Sequence, residues 1–462
     1  MTLRQAQGQP EQRRGLNERS LRIVLAVSLF LYVLVLRTYD VATTFLMLGE
    51  QIRDWTIALG SITDLPLVGA PSTAGGRGFG PAYYWLLWIG RFTIGPFLDN
   101  LPHAGGITVA LYQSIADAWL FYALSRRVHW ALALALVLLI ASAPFDIALS
   151  SLIWNPPVAA ALIKMATASA LTLEAAAPMW RIGMTAMLAW LAVQAHLSAF
   201  FVAAPLLAAI AAQPFVERSQ NLRRAIVERT AVIGVVILLL QIPFILSMLR
   251  EPAAAAGPTT ALAGLTNPQA FKPWSAYDSV TSITGNLVLP MYQASEFAIP
   301  VLVALPVVLL AWRKDLPVIA VTAGGIVTAT ILFTTSTRAY DGYWFVTLTT
   351  AFTLLFGMAI AAIPSKAAVK WFGFALLAFV IWRQPVRLEE SKRFFKYPQY
   401  ASMVRGSREL VVRAPVVKDI KVTFDVHPTM DRLFVYKILG GRIDPSALYT
   451  AIIDADGTVR LE

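Results

Sequence analysis

Long apolar runs, each bounded by polar or charged clusters, recur along the chain from residue 21 to residue 383. Runs of this kind supply the ~20 residues that cross a bilayer. Backbone groups at that depth must bond within their own segment, so the runs read as helices. They place spans at 21–37, 104–124, 130–148, 157–175, 182–196, 199–214, 226–248, 298–312, 317–335, 344–363 and 369–383. The predicted fold class is an all-α polytopic membrane bundle of about eleven transmembrane helices, 21–383, behind an N-terminal tail, 1–20.

One further apolar stretch, 81–98 (PAYYWLLWIGRFTIGPFL), is left out of the spans. Arg91 lies in its middle, where a charge is costly in lipid, and counting it would invert every later loop. It reads instead as an interfacial or re-entrant helix within a long external loop, 38–103. The same loop holds 41–60, amphipathic and rich in aromatics and charges, as helices lying on a membrane surface are. A second external loop, 249–297, is rich in Ala, Pro, Thr and Gly, and its length suits a lid or binding loop. Beyond residue 384 the pattern changes to a charged tail. An amphipathic stretch near 394–410 precedes alternating segments near 416–425, 432–439 and 447–453, and Asp456-Gly457 signals a hairpin. Residues 384–462 therefore read as a small extracytoplasmic α/β domain.

Composition supports this picture: of 462 residues, 57% are hydrophobic and 14% charged, against about 25% charged in a typical soluble domain. The chain has no cysteine, which excludes disulfides, thiol catalysis and thiolate metal sites. The formal charge is +11, but the basic residues fall mostly in short loops between apolar runs. That distribution sets topology and does not point to nucleic acid. Arg4, Arg13, Arg14, Arg19 and Arg22 keep the N-terminus cytoplasmic. Arg126-Arg127, Arg181, Arg218 to Arg229, Arg313-Lys314 and Lys366 to Lys370 mark further cytoplasmic loops.

Five polar motifs then fall on the external side. Asp40 follows the first span, placed to act as a general base on a hydroxyl or, more plainly, to pair with Arg37. Gly80-Pro81-Ala82-Tyr83-Tyr84 sets aromatics behind a turn; an ordinary aromatic belt gives the same pattern. Ala143-Pro144-Phe145-Asp146, then Ser150 and Trp154-Asn155-Pro156-Pro157, punctuate two helices, and the prolines leave the Asn155 amide facing the external side. Gln194-Ala195-His196-Leu197-Ser198 forms a turn whose histidine suits phosphate binding, proton donation or a loop hydrogen bond. Arg338-Ala339-Tyr340 opens a late span, where Arg suits phosphate oxygens. Asp117 and Lys164 lie inside spans, where ionisable residues face the bundle interior and mark a site or pair with each other.

In this order the motifs resemble the GT-C class of membrane glycosyltransferases, specifically the protein O-mannosyltransferase and lipid A aminoarabinose transferase group. The resemblance covers residues 20 to about 365 and rests on Asp40, Gly80 to Tyr84, Ala143-Pro144 with Ser150 and Trp154-Asn155-Pro156, the Gln194/His196/Ser198 turn, and Arg338 with Tyr340. Two features depart from it. Val41 follows Asp40 where relatives often carry a second acid, and the acid of a later external loop has only Asp146 as a candidate, or Asn155 in its place.

The resemblance implies an inverting glycosyltransferase of the bacterial inner membrane, multi-pass, with a cytoplasmic N-terminus and a periplasmic C-terminus. Its donor would be a polyprenyl-phosphate sugar and its acceptor a hydroxyl of an envelope glycan, lipid or protein. Asp40 would be the base; Arg338, Tyr340, His196, Lys272, Tyr83, Tyr84, Asn155 and Trp154 would hold the donor phosphate and sugar; Asp146 is the candidate second acid. The resemblance makes no cofactor certain: a divalent Mg or Mn would depend on that second acid. Two other readings compete, a transporter or flippase of a lipid-linked substrate and a non-catalytic envelope-assembly scaffold. The chain lacks the internal repeat that many transporters show.

Overall fold

The computed structural model describes residues 9–71, 77–174, 177–217, 221–250, 298–328, 346–426 and 429–462. The bundle helices are α1 (Gln9–Thr38), α2 (Val41–Thr44), α3 (Gly49–Leu59), α4 (Ala82–Thr93), α5 (Pro102–Leu124), α6 (Trp130–Ala141), α7 (Pro144–Leu149), α8 (Asn155–Leu171), α9 (Met179–Ala195), α10 (Phe200–Val216), α11 (Leu222–Arg250), α12 (Ala298–Ala311), α13 (Leu316–Thr328, with a π-helical turn at Ala320–Gly324), α14 (Thr349–Ala361) and α15 (Lys366–Ser391). Five described helices have the length and apolarity to cross a membrane: Glu18–Thr44, Pro102–Leu124, Leu197–Val216, Leu222–Arg250 and Lys366–Ser391.

Their outward faces are apolar too. On α1, Leu29, Val33, Leu36 and Arg37 are buried, at helical spacing, while Val24, Val27, Leu31 and Val35 are exposed. On α11, Val235, Leu238, Leu239, Ile242 and Leu249 are all exposed. Water would oppose such surfaces, and lipid is the solvent that suits them. Within the bundle, α5 packs against α1 and α8, α8 against α9, and α6 against α15. Gly373 permits the last approach, because a Cβ there would stand 2.7 Å from the Leu132 backbone nitrogen.

The predicted 130–148 helix is split. Pro144 supplies no N–H, and Ala143 before it is extended, so α6 ends and α7 starts afresh. The segment 81–98 holds the short helix α4; its 12 residues would reach only about 18 Å against a hydrocarbon core of about 30 Å. Arg91 of α4 donates to the Gly60 carbonyl at 2.6 Å. Residues 41–60 differ from a purely surface-lying helix: α3 packs on α4 and α5, with Gln51, Asp54, Trp55 and Ala58 buried. At the far end of the bundle, Arg127, Arg229 and Lys314 come together with Glu174, Glu217 and Asp315 around a cavity of about 270 Å³. Three of the basic clusters thus share one end of the molecule.

After α15, which runs on to Ser391, the tail adds α16 (Tyr400–Arg413), α17 (Phe434–Ile438) and strands β1 (Val416–Val417), β2 (Asp419–Val422), β3 (Arg442–Ile443), β4 (Thr450–Ile453) and β5 (Val459–Leu461). β1 pairs parallel with β3 and β2 parallel with β4, while β4 and β5 form the hairpin predicted at Asp456-Gly457. Gly457 turns it at φ +87°, a backbone state that side chains disfavour. The alternating segment 432–439 is not a strand. Phe434, Val435 and Tyr436 are buried in succession as one helical turn, and Gly440, at φ +96°, ends it. The tail is also attached to the bundle: Tyr400 stands 2.9 Å from His103 Nδ1, and Arg408 pairs with Asp99 at 2.6 Å.

Candidate functional site

At the α1 end near the tail, two sets of charges lie within one helical turn of α1. The inner set is buried. Arg37 Nη2 lies 2.6 Å from Asp117 Oδ2 of α5 and 2.6 Å from Asp146 Oδ2 of α7. Lys164 of α8 stands 2.8 Å from Asp117 Oδ1 and 3.7 Å from Asp146 Oδ1. Lys164 also donates to Gln113 Oε1 at 2.8 Å, and Gln113 donates to the Pro157 carbonyl at 2.6 Å. Ser150 donates to Asp146 at 3.3 Å. Two cations and two carboxylates cancel, so this cluster carries ions but no net charge. Four helices are clamped by it. Asp117 and Lys164, singled out separately in the sequence, are thus partners. Asp146 is 4% exposed and faces two cations, so it could serve as a second acid only if both let go.

The outer pair is Asp40 and Lys396. The backbone carbonyl of Asp40 caps α2, accepting from Thr43 N and Thr44 N at 2.9 Å each, while its side chain makes no cap bond. The carboxylate is left out of the cap. It receives Lys396 Nζ at 2.7 Å on Oδ1, with side-chain exposures of 11% for Lys396 and 14% for Asp40. The cation that meets Asp40 is therefore this tail lysine, with the Tyr39 hydroxyl also bonded to the carboxylate, and Arg37 is committed inward. The lysine is held by a short strap. Lys396 bridges antiparallel to Phe45, and Tyr397 N donates to the Thr44 carbonyl at 2.9 Å. Phe395, in the left-handed region at φ +52°, sets its ring 5.9 Å from Trp154 and 5.8 Å from Phe145; Phe394 meets Phe145 edge-on. Trp154 and Asp40 are thus linked by two consecutive tail residues, Phe395 and Lys396.

Tyr83 and Tyr84 are fully buried, and both hydroxyls donate to Asp54 of α3, at 3.0 and 3.2 Å. Arg53 Nε adds a bond of 2.8 Å. Burial raises the Asp54 carboxyl above its ordinary range, opposed by Arg53 and the two phenols. Burial, and then the Asp54 charge, raise the tyrosines. The Gly-Pro-aromatic segment thus locks α3 to α4. It also meets the Gln194 turn: a Cβ on Gly80 would lie 2.5 Å from the Gln194 amide carbon. Asn155 donates to the Ala195 carbonyl at 3.0 Å, and His196 Nδ1 is 2.7 Å from Ser198 Oγ, itself 2.9 Å from Thr347. The Trp154-Asn155 and Gln194-His196 motifs therefore adjoin. Arg338, Tyr340 and Lys272, and most of the 249–297 loop, lie outside the described residues.

No protein-family model and no curated protein matches the sequence. Solved structures do. Crystal structures of ArnT from Cupriavidus metallidurans match with probability 1.00. One, bound to undecaprenyl phosphate, has a TM-score of 0.53 at 16% identity, covering 90% of this chain and 75% of that one. The apo structure gives 0.57 at 13% identity, covering 89% of this chain and 84% of that one. The Archaeoglobus fulgidus oligosaccharyltransferase, in complex with Zn and sulfate, gives 0.51 at 11% identity, covering 91% of this chain and 62% of that one. The fold is the GT-C fold.

Within this GT-C fold Asp40, Asp54 and the Asp117–Asp146 pair meet different partners. Asp40 faces Lys396, Asp146 faces Arg37 and Lys164, and Asp54 faces two phenols and an arginine. A hard divalent cation needs several oxygen ligands around one point, and among the described residues no group of three His, Asp or Glu side chains offers that. The described residues by themselves do not fit Mg or Mn. Sequence reasoning missed Asp54 and Lys396. Asp54 could have been found, since Gln51, Asp54, Trp55 and Ala58 lie at helical spacing on one face. Lys396 gives no such signal; its partner is 356 residues away.

Proposed function

We propose that the protein is an inverting glycosyltransferase that moves a sugar from a polyprenyl-phosphate donor to an acceptor hydroxyl outside the cytoplasm. One observation carries this reading: in a GT-C fold, the carboxylate that follows α1 is left out of helix capping and stays partly exposed beside a cation. The undecaprenyl phosphate bound to one ArnT structure supports the class of lipid. The chain would lie in a bacterial inner membrane with its N-terminus cytoplasmic and the tail from 384 periplasmic. The basic clusters gathered at the opposite end from Asp40 support that orientation.

In the reaction the Asp40 carboxylate takes the proton of the acceptor hydroxyl. The freed oxygen lone pair bonds to the anomeric carbon from the face opposite the phosphate. The bond from that carbon to the phosphate oxygen breaks, and its electron pair leaves on the phosphate. Direct displacement inverts the anomeric centre and needs one base. The phosphate gains charge as it leaves, so fixed cations aimed at it lower the barrier; Arg338 is assigned that role, with Lys272 as helper, while His196, kept neutral by burial, would help only by a hydrogen bond. The sugar would lie against Trp154 and Asn155, with Tyr83 and Tyr84 supporting from behind.

The test is transfer of label from a panel of radiolabelled polyprenyl-phosphate sugars to envelope acceptors by purified protein, beside Asp40→Asn. Transfer by the wild type and not by the variant supports the reading. A folded wild type that transfers from no donor overturns it in favour of transport or scaffolding.

A further inference from the structure

The strap Phe394–Tyr397 is bound to the bundle at three points, and its single charged side chain rests on the proposed base. Each local feature of the strap brings that lysine there. α15 runs on eight residues past the predicted end of its span, to Ser391, and delivers the strap to the Asp40 end of the bundle. The left-handed turn at Phe395 and its ring contacts fix the segment against Trp154, and the bridge to Phe45 fixes the next residue. Several cations are engaged elsewhere: Arg37 and Lys164 in the neutral cluster, Arg387 with Ser142 at 2.8 Å, and Lys392 with Glu389 at 2.6 Å. Lys396 is held by one carboxylate at a boundary, on a flexible four-carbon stem with three donors.

We propose that Lys396 binds the donor phosphate, and that its withdrawal from Asp40 frees the base only when donor is present. This rests on the reading above. The electrostatics favour the exchange at each stage. A lipid phosphodiester offers an anion that competes for the ammonium. When the sugar leaves, the phosphate becomes a monoester with a charge of about −1.5 to −2. Asp40 has by then taken the acceptor's proton and is neutral. The lysine loses charge at one partner while it gains charge at the other, so its binding is strongest where negative charge develops, as catalysis requires. The tail thereby supplies a residue of the site.

The experiment is binding of undecaprenyl phosphate and of uncharged undecaprenol to the purified full-length protein by native mass spectrometry, with Lys396→Gln, Lys396→Arg and Asp40→Asn. The wild type should prefer the phosphate. Lys396→Gln should lose about tenfold of that preference and Lys396→Arg keep it. Asp40→Asn should tighten phosphate binding by roughly threefold, because the ammonium is no longer held back. If the pair only fastens the strap, the Gln and Asn variants shift binding in the same direction or not at all, and the proposal falls. Sugar transfer by the wild type in that case would leave the glycosyltransferase reading standing. A wild type that does not distinguish phosphate from alcohol overturns both.

Discussion

Arg37 and Asp40 are one helical turn apart, yet one belongs to a neutral cluster sealed among four helices and the other to a pair at the protein's edge. In the inner set four ions are held with exposures of 0–4%. Each has lost its water and depends on its partners, so removing one leaves an uncompensated buried charge. The outer pair keeps some water and a flexible lysine, so exchanging partners there costs much less. The same ion-pair chemistry thus gives a clamp in one place and an exchangeable contact in the other. What decides between them is how fully each is enclosed.

Asp40→Asn breaks the comparison most sharply. Loss of a general base lowers transfer by about 10²–10⁴-fold, while the amide still accepts from Lys396, so thermal stability in detergent should change by no more than about 1 kcal/mol. A large drop in melting temperature instead would place Asp40 with the structural ions. Arg37→Met should do the reverse. It leaves Lys164 alone to balance Asp117 and Asp146, one buried negative charge uncompensated, and costs about 3–5 kcal/mol, read as lost yield and early unfolding; a variant as stable as wild type would refute the clamp. Smaller in effect is Tyr83→Phe, which removes one buried donor from Asp54 and should cost about 1–3 kcal/mol with transfer changed only in proportion to folded protein. A selective rise in donor KM would instead put the Tyr83 hydroxyl on substrate. The smallest effect is one of pH. The Asp54 carboxyl is raised above its ordinary 3.8 in the folded protein, so the folded state binds that proton more tightly. Its contribution is present at low pH and declines as pH rises through the raised value. Asp54→Asn should flatten that part of the stability profile, and parallel profiles for the two proteins would discard the assignment.

The apolar runs predicted most of the helices because a bilayer enforces a length and an internal bonding rule that a sequence displays directly. The exclusion of 81–98 followed from Arg91, and α4 is indeed too short to span. The break at Pro144 was available from its missing N–H but was overridden by the unbroken apolarity around it. The segment 432–439 misled because consecutive buried residues suit a short helix on a sheet as well as a strand. Of the site, the residue types were legible and their partners were not. Asp117 and Lys164 stood out as ions in apolar runs, yet only packing of α5 on α8 makes them a pair. Asp40 stood out by its place after the first span, whereas the lysine that meets it depends on the course of the whole chain.

The buried cluster also constrains how the protein is made. Arg37 closes α1, but its two carboxylates follow 80 and 109 residues later in the chain. A lone arginine is costly within the bilayer, so during synthesis the first helix must keep that end at the interface, or sheltered by the insertion machinery. Its final depth is reached when α5 and α7 arrive with their acids. α1 thus settles only after later helices arrive, and a nascent chain stalled before residue 117 would hold α1 in a position that the finished protein never uses.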